Sequence, residues 1–211
     1  MSTNGKEKYL VPIAACIVLL VVGMIGTYFY MKGSNKPSPG AVASTGGEKL
    51  DLRLKTPYFF GQRDPRWGQM KIGGSGETIA AVGCTLCSLS MGICSLGGDT
   101  DPAELNQGLI ANDGYTDRGW LIWAAVAKAE PGMEVKVYEK PNHAAMDEAL
   151  RAGQIPLVKF WIGMGVPHWV AVVGKKGKEY LVLDPLEGEQ AIKLSSRTET
   201  IESLRVVRRS N

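Results

Sequence analysis

The sequence predicts an α+β domain behind an N-terminal membrane-spanning helix. Three observations carry that expectation. An uncharged apolar run of 22 residues, Leu10–Met31, stands near the start of the 211-residue chain. Beyond it, the first half of the remaining chain has helical spacing and capping signals. The second half is rich in short β-branched and aromatic runs, so helices segregate from an antiparallel sheet.

The apolar run is long enough, at 1.5 Å per helical residue, to cross the roughly 30 Å of bilayer hydrocarbon. Tyr9, Tyr28 and Tyr30 stand at its ends, with Lys6, Lys8 and Lys32 just outside. A cleaved signal peptide has an apolar core of about 7–15 residues, which is shorter, so the run reads as a signal anchor. The basic flanks nearly balance. The short tail 1–9 and its free amine favour an inside N-terminus, a single-pass protein and an extracytoplasmic body. Gly23 and Thr27 have the spacing of a helix-pairing motif, a spacing common by chance.

Residues 32–47 come next as a Gly-, Ser- and Pro-rich flexible tether. Residues 48–211 form the globular domain. Four basic residues (Lys6, Lys8, Lys32, Lys36) against Glu7 in the first 46 positions account for the whole net charge of +3. A neutral body lacks the electrostatic footprint of a nucleic-acid binder. Phosphate-cradling glycine loops are absent, which excludes the common nucleotide sites, and two histidines make a His-built metal centre improbable. No cofactor is expected.

Within the body, Gly83–Ser95 reads as a helix of small and apolar residues ended by Gly97-Gly98. Asp101-Pro102-Ala103-Glu104 has the N-cap, first-turn proline and N3 acid of a helix running to Ala111. Further helices are expected over Gly119–Ala129 and Asn142–Ala152. Strands are expected at Val135–Tyr138, Pro156–Trp161, His168–Val173, Tyr180–Asp184, Gln190–Leu194 and Leu204–Val207. A three-residue loop, Lys175-Lys176-Gly177 with Gly177 left-handed, pairs Gly174 with Lys178. In that register His168 lies opposite Asp184, and Trp169 and Ala171 pack on the other face.

Cys84 opens the first helix, where the positive end of the backbone dipole favours a thiolate. Cys87 and Cys94 share one face of that helix and read as core; Cys16 lies in the apolar run. In the hairpin register the Asp184 carboxylate holds one nitrogen of His168 and leaves the other for a thiol. His143 reads as a solvated helix-start residue. Trp120, Trp123 and Trp161 fit a core better than a substrate groove.

These residues resemble a known family. Gln62-Arg63-Asp64-Pro65-Arg66-Trp67, Gly83-Cys84 opening a helix that carries Met91, His168-Trp169-Val170 and Asp184-Pro185 are similar to the stand-alone relatives of bacteriocin-processing, double-glycine-leader cysteine peptidases. The resemblance covers residues 55–195. It implies a papain-like fold, with Cys84 as nucleophile, His168 as general base and acid, Asp184 as orienting partner and Gln62 as an oxyanion-hole donor. The expected function is a membrane-tethered cysteine hydrolase acting on a peptide or protein substrate. The alternatives are an acyltransferase using the same triad, a catalytically silent binding or scaffold module, and a Cys84–Cys87 redox pair. Gly46-Gly47 matches the double-glycine pattern, which 26 glycines make common by chance.

Overall fold

The computed structural model describes residues 19–24, 26–27, 37–56, 58–163 and 165–210. The chain divides into two compact units, one of residues 1–36 with 162–166 and one of residues 37–161 with 167–211. In the first, residues 19–24 and 26–27 are helical, and Leu19, Leu20, Val22 and Met24 are exposed. The Thr27 hydroxyl donates to the Gly23 carbonyl at 2.6 Å, one turn back in its own helix. Most of the expected span 10–31 lies outside the described residues. Among the described residues no helix is long and apolar enough to cross a membrane.

The second unit is the mixed helix-and-sheet body that the sequence predicts. Its strands are β1 (Val42–Ala43), β2 (Thr45–Arg53), β3 (Met133–Val137), β4 (Ile155–Ile162), β5 (Val166–Leu183), β6 (Ile192–Lys193), β7 (Thr200–Ile201) and β8 (Ser203–Arg209). Its helices are α1 (Ile79–Val82), α2 (Cys84–Ser95), α3 (Pro102–Ala111), α4 (Val126–Ala129) and α5 (His143–Arg151). One sheet has the order β2-β5-β4-β8-β3 with β6 added to β5, and β1 pairs with β7. Helix α2 is buried along nearly its whole length, with Leu86, Cys87, Leu89, Met91 and Ile93 in the core beside Trp169, Ala171 and Leu183. Burying each large aliphatic side chain of this kind contributes about 1.5–3 kcal/mol.

Where capping chemistry is written into the sequence, the helix boundaries obey it. Asp101 accepts the N–H groups of Ala103 (2.7 Å) and Glu104 (2.9 Å), and the Glu104 carboxylate accepts the Asp101 N–H, the complete capping box. Asn142 caps α5 through Ala145 N–H at 2.8 Å. The expected helix 119–129 is much shorter. Tyr115 and Leu121 bridge across a tight turn with Gly119 left-handed (φ 75°), leaving a 3-10 turn at Trp123–Ala125 and the four residues of α4. The strand expected at 190–194 is confined to Ile192–Lys193, because Leu194–Ser196 turns into a 3-10 helix.

The largest departures are at the tether and the hairpin. Residues 42–43 and 45–47, read as flexible, are strand: Val42 pairs with Ile201, Thr45 with Glu179, and the Ser38 N–H donates to Glu202 Oε2 at 3.0 Å. Small side chains at 42–47 let the backbone lie close on the body, which the composition alone reads as slack. Fully extended, β5 would span roughly 60 Å, yet His168 and Asp184 meet at 2.7 Å, so the chain reverses within it. Gly177 is left-handed (φ 60°), as expected. Gly174–Gly177 does not stand free as a loop, however. It pairs with Arg53–Leu50 of β2, and Lys175 is 1% exposed.

Candidate active site

Cys84 is the first residue of α2. Gly83 separates it from α1, and a side chain there would overlap Ile79 at both its carbonyl oxygen and its Cγ2, so only glycine permits this break. The break also changes a hydrogen bond. Ala80 O, the acceptor that an unbroken helix would offer to Cys84 N–H, accepts from Gln62 Nε2 at 3.0 Å instead. Cys84 is 6% exposed, and its Sγ lies 4.0 Å from Pro167 O, next to His168. The ring of His168 also engages the Cys84 side chain.

His168 is 1% exposed and packs edge-on against Phe160, with ring centroids 5.3 Å apart. Its Nε2 donates to Asp184 Oδ1 at 2.7 Å, which leaves Nδ1 as the nitrogen available to the thiol. Burial works against charge on this ring. Its hydrogen bonds with Asp184 and Cys84 outweigh it and raise the histidine from its usual 6.5 to about 9. Asp184 is fully buried. Burial opposes its ionisation, but His168, the Leu186 N–H (2.9 Å to Oδ1) and Arg197 (Nε 2.9 Å from Oδ2) hold its carboxyl below the usual range.

Gln62, 3% exposed, is tied to both sides of this cluster. Its side chain donates to Ala80 O, and its backbone N–H donates to Pro185 O at 2.9 Å, beside Asp184. One of its two amide hydrogens is thus committed to Ala80. Its Oε1 is buried and finds no partner among the described residues.

The remaining candidates separate from the site. Cys87 is fully buried three residues along α2, and burial, reinforced by the neighbouring Cys84, pushes its thiol well above the usual range. A redox partner needs an accessible thiolate, so this setting disfavours the redox reading. Cys94 is likewise in the core, its Sγ 3.0 Å from Thr100 O. Trp169 packs on Trp123 at 5.2 Å, as a core aromatic should, whereas Trp120 is exposed and lies beside Arg118.

His143 opens α5 as expected but is half-buried rather than fully solvated. It stacks on Tyr180 (5.8 Å between centroids) and its Nδ1 lies 3.1 Å from the Tyr180 hydroxyl. Tyr180 in turn donates to Asp147 at 3.0 Å, and Asp147 pairs with buried Lys175 at 2.5 Å. Gly46-Gly47 lies against this second cluster: a Cβ on Gly46 would overlap the His143 ring, and one on Gly47 would overlap the Asp147 carboxylate. The double glycine therefore sits within β2.

Two features escaped the sequence reading. Arg197, on the outer oxygen of Asp184, had no motif to mark it. The His143–Tyr180–Asp147–Lys175 cluster had one readable signal, His143 and Asp147 four apart on a helix face. Among the described residues no group of His, Cys, Asp and Glu could hold a metal ion.

The comparisons with known proteins point the same way. The peptidase C39 family model matches residues 79–200, which include Cys84, His168 and Asp184. Among solved structures, the chain is similar to a Bacillus anthracis protein described as a C39-like peptidase. That match has 15% identity and a TM-score of 0.50, covers 78% of this chain and 100% of the other, and bears on the fold alone. No curated protein matches the chain. With the family model spanning more than half of the sequence, the chain belongs to the peptidase C39 family and is a cysteine peptidase.

Proposed function

We propose that the chain hydrolyses a peptide or protein substrate with Cys84 as nucleophile, His168 as proton carrier and Asp184 as the group that orients His168. The observation that carries this reading is the buried His168–Asp184 hydrogen bond with its free Nδ1 turned to a thiol at a helix start. The Cys84 thiolate attacks the scissile carbonyl carbon and forms the C–S bond. The resulting oxyanion accepts the Cys84 N–H and the second Gln62 amide hydrogen; a donor of this kind is worth about 10²–10³ in rate. Imidazolium His168 gives its proton to the leaving amine as the C–N bond breaks. Neutral His168 then takes a proton from water, which attacks the thioester, and the acid leaves with the thiolate restored.

The tethering is part of the same proposal. The uncharged run Leu10–Met31 anchors the body to a bilayer, with the body on the extracytoplasmic side. The exposed helical Leu19, Leu20, Val22 and Met24 support this. An intact set of Cys84, His168, Asp184 and Gln62 counts against a silent scaffold.

The test is to incubate the full-length chain with a pool of defined peptides and identify new amino termini by mass spectrometry. Cleavage that disappears in Cys84→Ala supports the reading. Cleavage that survives Cys84→Ala overturns it.

A further inference from the structure

Asp184 has two oxygens, and the triad uses one. Oδ1 accepts His168 Nε2 and the Leu186 N–H, which fixes the carboxylate from the His168 side. Oδ2 faces the opposite way and accepts Arg197 Nε at 2.9 Å. Arg197 is itself held from outside, with Nη1 2.6 Å from Glu187 Oε1. Its place is set by backbone. Strand β6 pairs with β5 at Leu181–Lys193 and Val182–Ile192, and the 3-10 turn Leu194–Ser196 then delivers Arg197 to the carboxylate just past the end of β5. The Asp184 side chain is 0% exposed and that of Arg197 is 24% exposed, so the guanidinium links the buried charge to the surface.

We propose that Arg197 is a positioning residue for the Cys84 site, which shares the charge of Asp184 with His168 and so sets how firmly His168 holds its proton. This rests on the triad reading above. The physical reason is the competition of two cations for one carboxylate. A positive group near His168 disfavours a second positive charge there, and an opposite or like charge within about 4–6 Å moves a titration by about 1–3 units. An over-tight proton cannot pass to the leaving amine, so an unshared Asp184 would leave His168 a poor general acid. Arg197 counters that, and Glu187 limits how much of Asp184 it takes.

Only two histidines occur in the chain, so the full-length protein labelled with ¹⁵N-histidine gives two resolvable titrations. His143→Gln assigns them, and thermal melting confirms that each variant is folded. In the wild type the His168 midpoint is expected at about 9. Arg197→Ala should move it up by about one unit, with peptide turnover falling through kcat while KM holds. Arg197→Lys, which keeps the charge, should restore the wild-type midpoint to within about 0.3 units. Glu187→Gln, a surface change that spares the Asp184 contact, should move it down. A folded Arg197→Ala whose His168 midpoint stays put makes Arg197 merely structural and overturns the proposal. A downward move in Arg197→Ala also overturns it, because Arg197 would then only hold Asp184 in place. The triad reading fails separately, if the wild-type midpoint lies near 6.5 and does not respond to Cys84→Ala.

Discussion

The body contains two clusters built from the same ingredients, a histidine, an aspartate and a cation; the histidine is buried in the first and half-buried in the second. In the first, His168 touches Asp184 directly at 2.7 Å, and Arg197 takes the far oxygen. In the second, His143 reaches Asp147 only through the Tyr180 hydroxyl, while Lys175 holds the carboxylate at 2.5 Å. Burial opposes a charged ring in both. His168 overcomes it through hydrogen bonds and is raised to about 9. His143 is lowered, by burial first and then by the charge of Lys175, with Asp147 only partly offsetting them. A histidine with first claim on the carboxylate becomes a proton donor at neutral pH. One that comes after a lysine stays a neutral ring. The first cluster has a thiol beside it. The second has Gly46-Gly47 and the Glu48 N–H, which donates to Asp147 Oδ2 at 2.7 Å. The first is the arrangement to which the proposed chemistry is assigned, and the second clamps β2 at residues 46–48.

The sharpest way to break this contrast is to remove the groups assigned to chemistry. Cys84→Ala should abolish peptide hydrolysis, and His168→Ala should reduce kcat/KM by about 10²–10⁴-fold. His143→Gln should leave kcat/KM within twofold of the wild type by the same peptide assay; a loss comparable to that of His168→Ala would erase the distinction.

Next in size is the clamp. Asp147→Ala strands a buried Lys175, and breaking a buried pair in this way costs about 3–5 kcal/mol. Urea unfolding should show that loss, with alkylation of Cys84 per folded molecule unchanged. Gly47→Ala places a side chain against Asp147 at a backbone φ of 65°, a cost of about 1–3 kcal/mol. Faster hydrogen exchange at the Glu48 amide would locate the damage in β2. Unchanged exchange there would contradict the clamp.

The smallest effect is the pH dependence, and the two clusters give it opposite signs. His168 has a raised folded value. Its contribution to stability is fully present below about 6.5 and is lost as pH climbs through about 9. His143 has a lowered folded value, so the folded state disfavours its protonation, and stability falls as pH drops below about 6.5. Urea midpoints across that range should fall at both ends. His143→Gln should flatten the acid side alone.

The sequence made legible what short-range chemistry determines. The capping box at Asp101–Glu104, the helix opening at Cys84 and the contact of His168 with Asp184 all come from spacing and register. Four separated motifs were enough to point to the family. Residues whose roles depend on distant chain were not legible. Lys175 reads as an exposed turn lysine until β2 covers it and Asp147 meets it from α5. Arg197 sits in an unremarkable polar tail until β6 carries it to Asp184. The Gly-rich stretch ending at Gly47 has the composition of a tether, and its strand pairing with β7 and β5, together with the packing of residues 46–47 against α5, comes from distant chain.

The most direct test of the central claim is the alkylation rate of Cys84 from pH 5 to 9, with the label located by mass spectrometry and His168→Ala run in parallel. A His168-activated thiolate predicts rapid labelling below pH 7 that slows sharply in the variant. Labelling that tracks an ordinary thiol near pH ~8.5, the same in both proteins, would contradict it.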